Sequence, residues 1–367
     1  MSPSIVIAPN SFKGSLSARA AADAIAAGWR SVRPDDALTL LPQADGGEGT
    51  LDAIETAVAG SVRRSAGLVT GPDGRPTPGE WLGLPSGAAV VELAQSSGLP
   101  LMQTLDARNA TSRGLGEVIR VALNCGATSL VVGLGGSAST DGGSGALAAL
   151  GLGLADDSGS PLTDGGASLA RLNSVNLTTL VPAPAGGVVL LTDVTAPLLG
   201  ETGAAAVFGP QKGATPADVA LLDAALANFA RVLGGDAAAP GTGAAGGAGF
   251  GFATAWGATI ESGADYLAAL SGLGAAIDGA EVLLLGEGRF DSQSLGGKVV
   301  GQLLQRAEQR DVRVGVIAGQ VTTTAVVRGQ AVWTCALVDL AGSVDAAIAD
   351  PGRWLRVAGA EAARHFG

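Results

Sequence analysis

The residues of this chain that can do chemistry gather beside glycines. Its three lysines, against 19 arginines, sit in Phe12-Lys13-Gly14, Gln211-Lys212-Gly213 and Gly297-Lys298. A lysine ammonium is a compact point charge on a flexible stem, which suits phosphate oxygens. Carboxylates recur beside glycine turns at Asp45, Glu48, Asp141, Asp193, Glu287 and Asp291. The one histidine, His365, lies two residues from the end, where chains are usually mobile. A His-based triad or His-ligated metal is therefore disfavoured, and acid/base work falls to Asp, Glu or Lys.

The segment from Gly133 to Gly143 reads Gly-Leu-Gly-Gly-Ser-Ala-Ser-Thr-Asp-Gly-Gly and is the richest phosphate-loop candidate. Its glycines, among them Gly135, Gly136 and Gly142, let backbone N–H groups turn toward an anion, and a following helix adds its positive end. Ser137 and Thr140 can donate to phosphate. It is not the usual P-loop: no G-x-x-x-x-G-K-[ST] occurs, and Gly296-Gly297-Lys298 runs into Val299. A nicotinamide fingerprint is absent too. Mg²⁺ in phosphotransfer sites takes one or two carboxylates plus phosphates and water, and a hydroxyl acceptor gains from a carboxylate that takes its proton. Asp45, Glu48, Asp193 and Asp291 are the candidates; the residues alone do not divide base from metal ligand. Each has a plainer reading as a turn former or helix cap.

Short β-branched runs, each followed by a glycine turn and a helical pattern, must position these groups. Residues 5–7 lead into a helix over 15–29, 38–41 into a helix from 48, and 130–132 into a helix from 144. Residues 282–285 lead into a helix over 297–309, and 188–191 end at Asp193. Repeated strand, turn and helix predict α/β units on a largely parallel sheet, with ligands beyond the strands' C-terminal ends. Residues 62–91 carry Pro and Gly turns between short strands and predict antiparallel or mixed sheet. Residues 237–251, nearly all Ala and Gly, read either as a connector or as backbone approaching a ligand.

The chain has 367 residues, 47% apolar and 15% charged, with net charge -11. That fits a two-domain globular protein and argues against nucleic-acid or anionic-membrane partners. No apolar run approaches the roughly 20 residues of a membrane span, and no secretory signal is evident. Cys125 and Cys335 read as buried free thiols, so the cytoplasm is the expected compartment.

At these segments the sequence resembles the bacterial type I glycerate kinases. The matching stretches are Ile7 to Ala18 (Ile-Ala-Pro-Asn-Ser-Phe-Lys-Gly-Ser-Leu-Ser-Ala), Asp45-Gly46-Gly47-Glu48-Gly49-Thr50 and the Gly133 to Gly143 loop. Thr192-Asp193-Val194-Thr195-Ala196-Pro197 follows, then Phe208-Gly209-Pro210-Gln211-Lys212-Gly213-Ala214 and Gly286-Glu287-Gly288-Arg289-Phe290-Asp291 through Lys298. The resemblance implies two α/β domains with the active site in their cleft: a flavodoxin-like one from both termini (1–66 and 276–367) and a mixed-sheet one inserted (67–275). It also implies ATP, Mg²⁺ and (R)-glycerate, with 2-phosphoglycerate as product. A 3-kinase giving 3-phosphoglycerate, or a kinase of another small hydroxy acid, are the alternatives. A homo-oligomer is compatible with the sequence.

On that reading the nucleotide lies along Gly135, Gly136, Ser137, Thr140, Asp141 and Gly142. Lys13 and Lys212 neutralise charge on the transferring group, and Asp193 takes the hydroxyl proton with Asp291 as its understudy. Asp45 and Glu48 hold Mg²⁺; Arg289, Asn10, Ser11 and Lys298 hold the substrate. The stretch Ser262-Gly263-Ala264-Asp265-Tyr266 departs from the more aliphatic pattern the family suggests, and Phe290 stands where Leu is commoner. Two readings from other classes compete. A non-catalytic metabolite sensor would not need several carboxylates beside a phosphate loop. An aspartyl-phosphate enzyme would want a D-x-D motif, which Asp193-Val194-Thr195 is not.

Overall fold

A computed structural model describes residues 4–12, 14–295, 299–310 and 312–367. In chain order its strands are β1 Ser4–Pro9, β2 Ala37–Leu40, β3 Val62–Thr70, β4 Pro76–Gly83, β5 Ala88–Glu92, β6 Ser129–Gly133, β7 Gly153–Ala155 and β8 Ser174–Asn176. There follow β9 Val188–Leu191, β10 Thr259–Glu261, β11 Val282–Phe290, β12 Arg313–Val321, β13 Val326–Val327, β14 Gln330–Ala331 and β15 Trp333–Ala336. The chain divides into two compact units. One comprises Met1–Asp45, Asp52–Ala59 and Ala264–Gly367; the other, Gly46–Leu51 and Gly60–Gly263.

The first unit is built on a five-stranded sheet in the order β15-β12-β11-β1-β2, every pair parallel. Renumbered within the sheet this is 2-1-3-4-5, the flavodoxin-like order. Ile5, Val6, Ile7 and Ala8 of β1 and Val282 to Leu285 of β11 are all buried, as central parallel strands covered on both faces require. Ser17 starts the helix Ala18–Val32 by accepting a bond from Ala20 N–H at 3.2 Å. That helix crosses the last one, Pro351–Phe366, at glycines: a Cβ on Gly28 would lie 1.9 Å from Arg356 O, and one on Gly359 would lie 2.2 Å from Ile25 O. The two ends of the chain are thus locked backbone to backbone. His365 of this terminal helix stacks on Trp333 of β15, with ring centroids 5.6 Å apart.

The second unit has a six-stranded sheet, β10-β9-β6-β5-β4-β3. β3, β4 and β5 pair antiparallel, as their turns predicted, whereas β5, β6, β9 and β10 run parallel. β3 pairs with β4 from Val62 onward, so the long segment of this unit begins at Gly60 and not after residue 66. At the other end, Ala264, Ala268, Leu273 and Ile277 bury themselves with Val6 and Leu283, which moves the end of the inserted unit from 275 back to 263. Cys125 is exposed, not buried, because it follows the end of the helix Arg113–Asn124; Cys335 is half-buried, and burial pushes its thiol up to about 11. Both are free thiols. Among the described residues no helix is long and apolar enough to cross a membrane.

Candidate active site

In the second unit the candidate groups stand at the C-terminal ends of β5, β6 and β9. Residues 133–143 leave β6 and enter the short helix Ser144–Ala149. The loop stays folded because it is braced from within. Asp141 is fully buried; its Oδ2 accepts from Ser112 N–H (2.9 Å), Ser112 Oγ–H (2.8 Å) and Gly145 N–H (3.3 Å), and its Oδ1 from Gly143 N–H (3.1 Å). Expected to line the nucleotide, Asp141 instead spends its carboxylate on the chain's own donors, as a buried charge must. Gly142 is buried as well, against Phe229 and Leu226.

The Ala/Gly tract supplies the floor of this loop. Gly246 O accepts from Gly142 N–H at 2.9 Å, and a Cβ on Gly246 would fall 2.1 Å from Ser139 O. Ala245, Gly246 and Gly247 all have positive φ inside the helix Ala244–Trp256, so glycine relieves both the close approach and the left-handed turn. The approaching backbone is the loop's own.

Lys212 enters the loop from the turn Pro210–Lys212. Its side chain is 2% exposed, and its ammonium donates to Ser137 Oγ at 2.9 Å and to Ser139 O at 2.5 Å. Burial pulls its pKa from the ordinary 10.5 down to about 7, with the Asp141 carboxylate opposing. The Ser139 and Thr140 hydroxyls are buried and find no hydrogen-bond partner among the described residues. A cation with no bonded carboxylate, spare hydroxyls and a glycine backbone make a donor set suited to an anion. Only Gly135 and Gly136 of the loop reach toward solvent; Ser137 is 8% exposed.

Residues 46–51 lie against this loop. Gly135 N–H donates to Gly46 O at 2.9 Å, and a Cβ on Gly136 would sit 3.4 Å from Glu48 Oε1. The exposed Glu48 carboxylate therefore stands beside the exposed part of the loop. Glu92, buried at the end of β5, accepts from Gly49 and Leu51 N–H at 3.1 Å each and fixes the start of the helix Thr50–Ala57. Asp193 follows β9 by two residues, and its Oδ1 accepts from Ser262 Oγ–H at 2.9 Å.

The first unit gathers a second set around a cavity of about 490 Å³. Asn10 and Ser11 border it from the end of β1, Glu287 and Arg289 from β11, with Asp45 and Asp291 alongside. β1 and β11 are the neighbours at which the strand order reverses, the switch point where open α/β sheets bind ligands. Asn10 N–H bonds Gly286 O at 2.7 Å across that junction, and Asn10 Oδ1 accepts from Ser11 N–H. The Arg289 side chain is 61% exposed, its Nε 3.4 Å from Asp291 Oδ2. Asp291 also works as a cap: its Oδ1 accepts from Gln293 N–H at 2.9 Å. Asp45 belongs to this unit and Glu48 to the other. Lys13 and Lys298 lie outside the described residues.

Reading the sequence missed four groups: Glu92, Ser112, Ser139 and Ser262. Glu92 could have been found, since a carboxylate closing the run Ala89-Val90-Val91 mirrors Asp193 after Leu190-Leu191. Ser262 lay in the stretch flagged as departing from the family pattern. Ser112 carried no local signal, because its partner is distant in sequence.

Comparison with known proteins identifies the family. The family model described as "Glycerate kinase family" matches residues 5–367. The chain is 40% identical over 327 residues to the glycerate 2-kinase of Escherichia coli K12, covering 87% of this chain and 85% of that one. It is 40% identical over 328 residues to the glycerate kinase of Bacillus subtilis 168, with the same coverage. A crystal structure of a glycerate kinase 2 candidate from Salmonella typhimurium LT2 superposes with TM-score 0.80 at 35% identity, covering 100% of this chain and 98% of that one. The flavodoxin-ordered sheet, the braced glycine loop and a match running from β1 to the last residue lead to one assignment: the chain belongs to the glycerate kinase family and is a kinase.

Proposed function

We propose that this kinase transfers the γ-phosphoryl of ATP to the 2-hydroxyl of (R)-glycerate, giving 2-phosphoglycerate. The observation that carries the phosphoryl-transfer reading is the buried Lys212 ammonium held inside a glycine loop with hydroxyls to spare. The Escherichia coli relative's name, glycerate 2-kinase, supports the choice of hydroxyl.

In this reading the exposed Gly136 N–H meets phosphate oxygens, the Gly135 N–H being spent on Gly46 O, with Ser137 and Thr140 in the loop behind it, and Lys212 neutralises charge that builds on the transferring group. Asp141 and Gly142 act by holding the loop's shape. Asp193, steadied by Ser262, takes the proton from the attacking hydroxyl. Arg289 presents its fork to the glycerate carboxylate, with Asn10 and Ser11 beside it and Asp291 steadying the guanidinium. Lys13 and Lys298 keep the phosphate and substrate roles their motifs suggest.

Among the described residues no group of three or more His, Cys, Asp or Glu side chains gathers as a metal cage. Mg²⁺ that arrives with ATP needs only one or two carboxylates, so the exposed Glu48 beside Gly136 fits that demand, and Asp45 keeps the metal role its motif suggests. Bound there, the metal would supply charge neutralisation on the phosphates. The two free thiols suit a cytoplasmic setting.

The test is ADP release by purified protein with (R)-glycerate, (S)-glycerate or no acid, before and after chelation of Mg²⁺. Release that needs both (R)-glycerate and the metal is expected. Release at the same rate without acid would overturn the acceptor assignment.

A further inference from the structure

The first unit's cavity is larger than glycerate needs. A water molecule occupies about 30 Å³ of liquid, so an acid of roughly seven non-hydrogen atoms fills on the order of 200 Å³. The cavity of about 490 Å³ falls in the range typical of sites for larger ligands. Its lining is two-sided. Asn10, Ser11 and Arg289 give a polar end matched to a carboxylate and hydroxyls. Asp45, Glu287, Asp291 and Gln320 add further polar groups, while the other side is apolar, formed by Leu337, Val338, Ala347 and the exposed side chains of Val344 and Ile348.

Val344 and Ile348 stand one helical turn apart on the helix Val344–Ala349, 44% and 59% exposed. Residues four apart share a helix face, so the two form one apolar ridge. Large aliphatic side chains left open beside an arginine fork have no task in binding a three-carbon, fully polar acid. An apolar ridge continuous with a carboxylate-binding end fits an acid that is polar at one end and apolar at the other.

We propose that the kinase also phosphorylates 3-substituted glycerates: 2,3-dihydroxy acids carrying an alkyl or aryl group on C3, with that group lying on the Val344/Ile348 ridge. The inference rests on the proposed acceptor role of the Arg289 end. The chemistry is that of glycerate itself. The bond from the γ-phosphorus to the bridging oxygen of ATP breaks, and a bond from that phosphorus to the acid's 2-hydroxyl oxygen forms. The hydroxyl proton goes to a carboxylate, and ADP leaves.

The experiment measures kcat/KM for (R)-glycerate and its 3-methyl, 3-ethyl and 3-propyl derivatives, with calorimetric binding of each acid in parallel. It uses the full chain and Ile348→Glu, a change at an exposed position. In the unsubstituted protein kcat/KM and affinity should rise by up to about fourfold per methylene seated on the ridge. Ile348→Glu should lower the propyl-to-glycerate ratio by at least about tenfold. Values that fall with each added methylene would overturn the proposal. So would an Ile348→Glu effect confined to the KM for ATP, or one equal for all the acids. Turnover of the substituted acids without turnover of glycerate would retain the proposal and overturn the glycerate reading.

Discussion

Replacing Lys212 with methionine removes a buried ammonium while keeping a side chain of similar length and an apolar stem. The drop in the lysine's pKa from 10.5 to about 7 corresponds to ~5 kcal/mol of native stability at pH 7. Methionine is free of that cost. It leaves Ser139 O and Ser137 Oγ without their donor, a penalty of about 1–2 kcal/mol for each of the two groups. Lys212→Met should therefore be about 1–3 kcal/mol more stable than the natural chain at pH 7. The sign of the pH dependence follows from linkage. The lysine's pKa is lower folded than unfolded, so between about pH 7 and 10.5 the unfolded chain binds the extra proton, and native stability rises with pH. The slope is ~1.4 kcal/mol per pH unit, and below pH 7 it vanishes. The variant's advantage should shrink by about 4 kcal/mol between pH 7 and 10 and change sign. Urea unfolding of both proteins at pH 7, 8.5 and 10 reads this directly. A stability difference that stays constant over that range would refute the claim that burial lowers the pKa of Lys212. Turnover of the variant should fall by roughly 10²–10³-fold, the scale for losing one electrostatic stabiliser.

Other side chains make separable predictions. Asp193→Asn should lower kcat by about 10²–10⁴-fold with little change in the KM for glycerate, and stopped-flow turnover near the natural rate would remove Asp193 from the base role. Ser262→Ala, which deletes the donor to Asp193 Oδ1, should cost about tenfold in kcat and restore partly as Ser262→Thr. Arg289→Ala should raise the KM for glycerate by roughly 10–100-fold and leave the melting temperature unmoved, since the side chain is exposed. Asp141→Ala strands four donors in a closed interior and should destabilise the protein by about 3–5 kcal/mol in urea unfolding, whatever the substrate present.

What the sequence disclosed follows from the range of the interactions involved. Strand, turn and helix periodicity is local, so the α/β architecture and the strand-end position of Asp193, Arg289 and the Gly133 to Gly143 loop could be read directly. Burial depends on partners far along the chain, and there reading was weaker. Asp141 looks like a ligand-facing carboxylate until Ser112, 29 residues away, is seen to occupy it. Lys212 reads as a flexible loop lysine reaching for phosphate until Ser137, 75 residues earlier, closes around it. The Ala/Gly tract permitted two readings because glycine marks close approach without naming what approaches; here it is the Ser139–Thr140 backbone. The unit boundaries shifted for a similar reason: β3 is held by its pairing with β4, and Ala264 to Ile277 by an apolar core formed with β1 and β11.

The measurement that bears most directly on the central claim is the position of the phosphate in the product. Purified protein, Mg·ATP and ¹³C-labelled (R)-glycerate should yield a ³¹P signal coupled to the C2 methine, the mark of 2-phosphoglycerate. Coupling to the C3 methylene would contradict the 2-kinase assignment, and the absence of any phosphoglycerate would contradict glycerate as the acceptor.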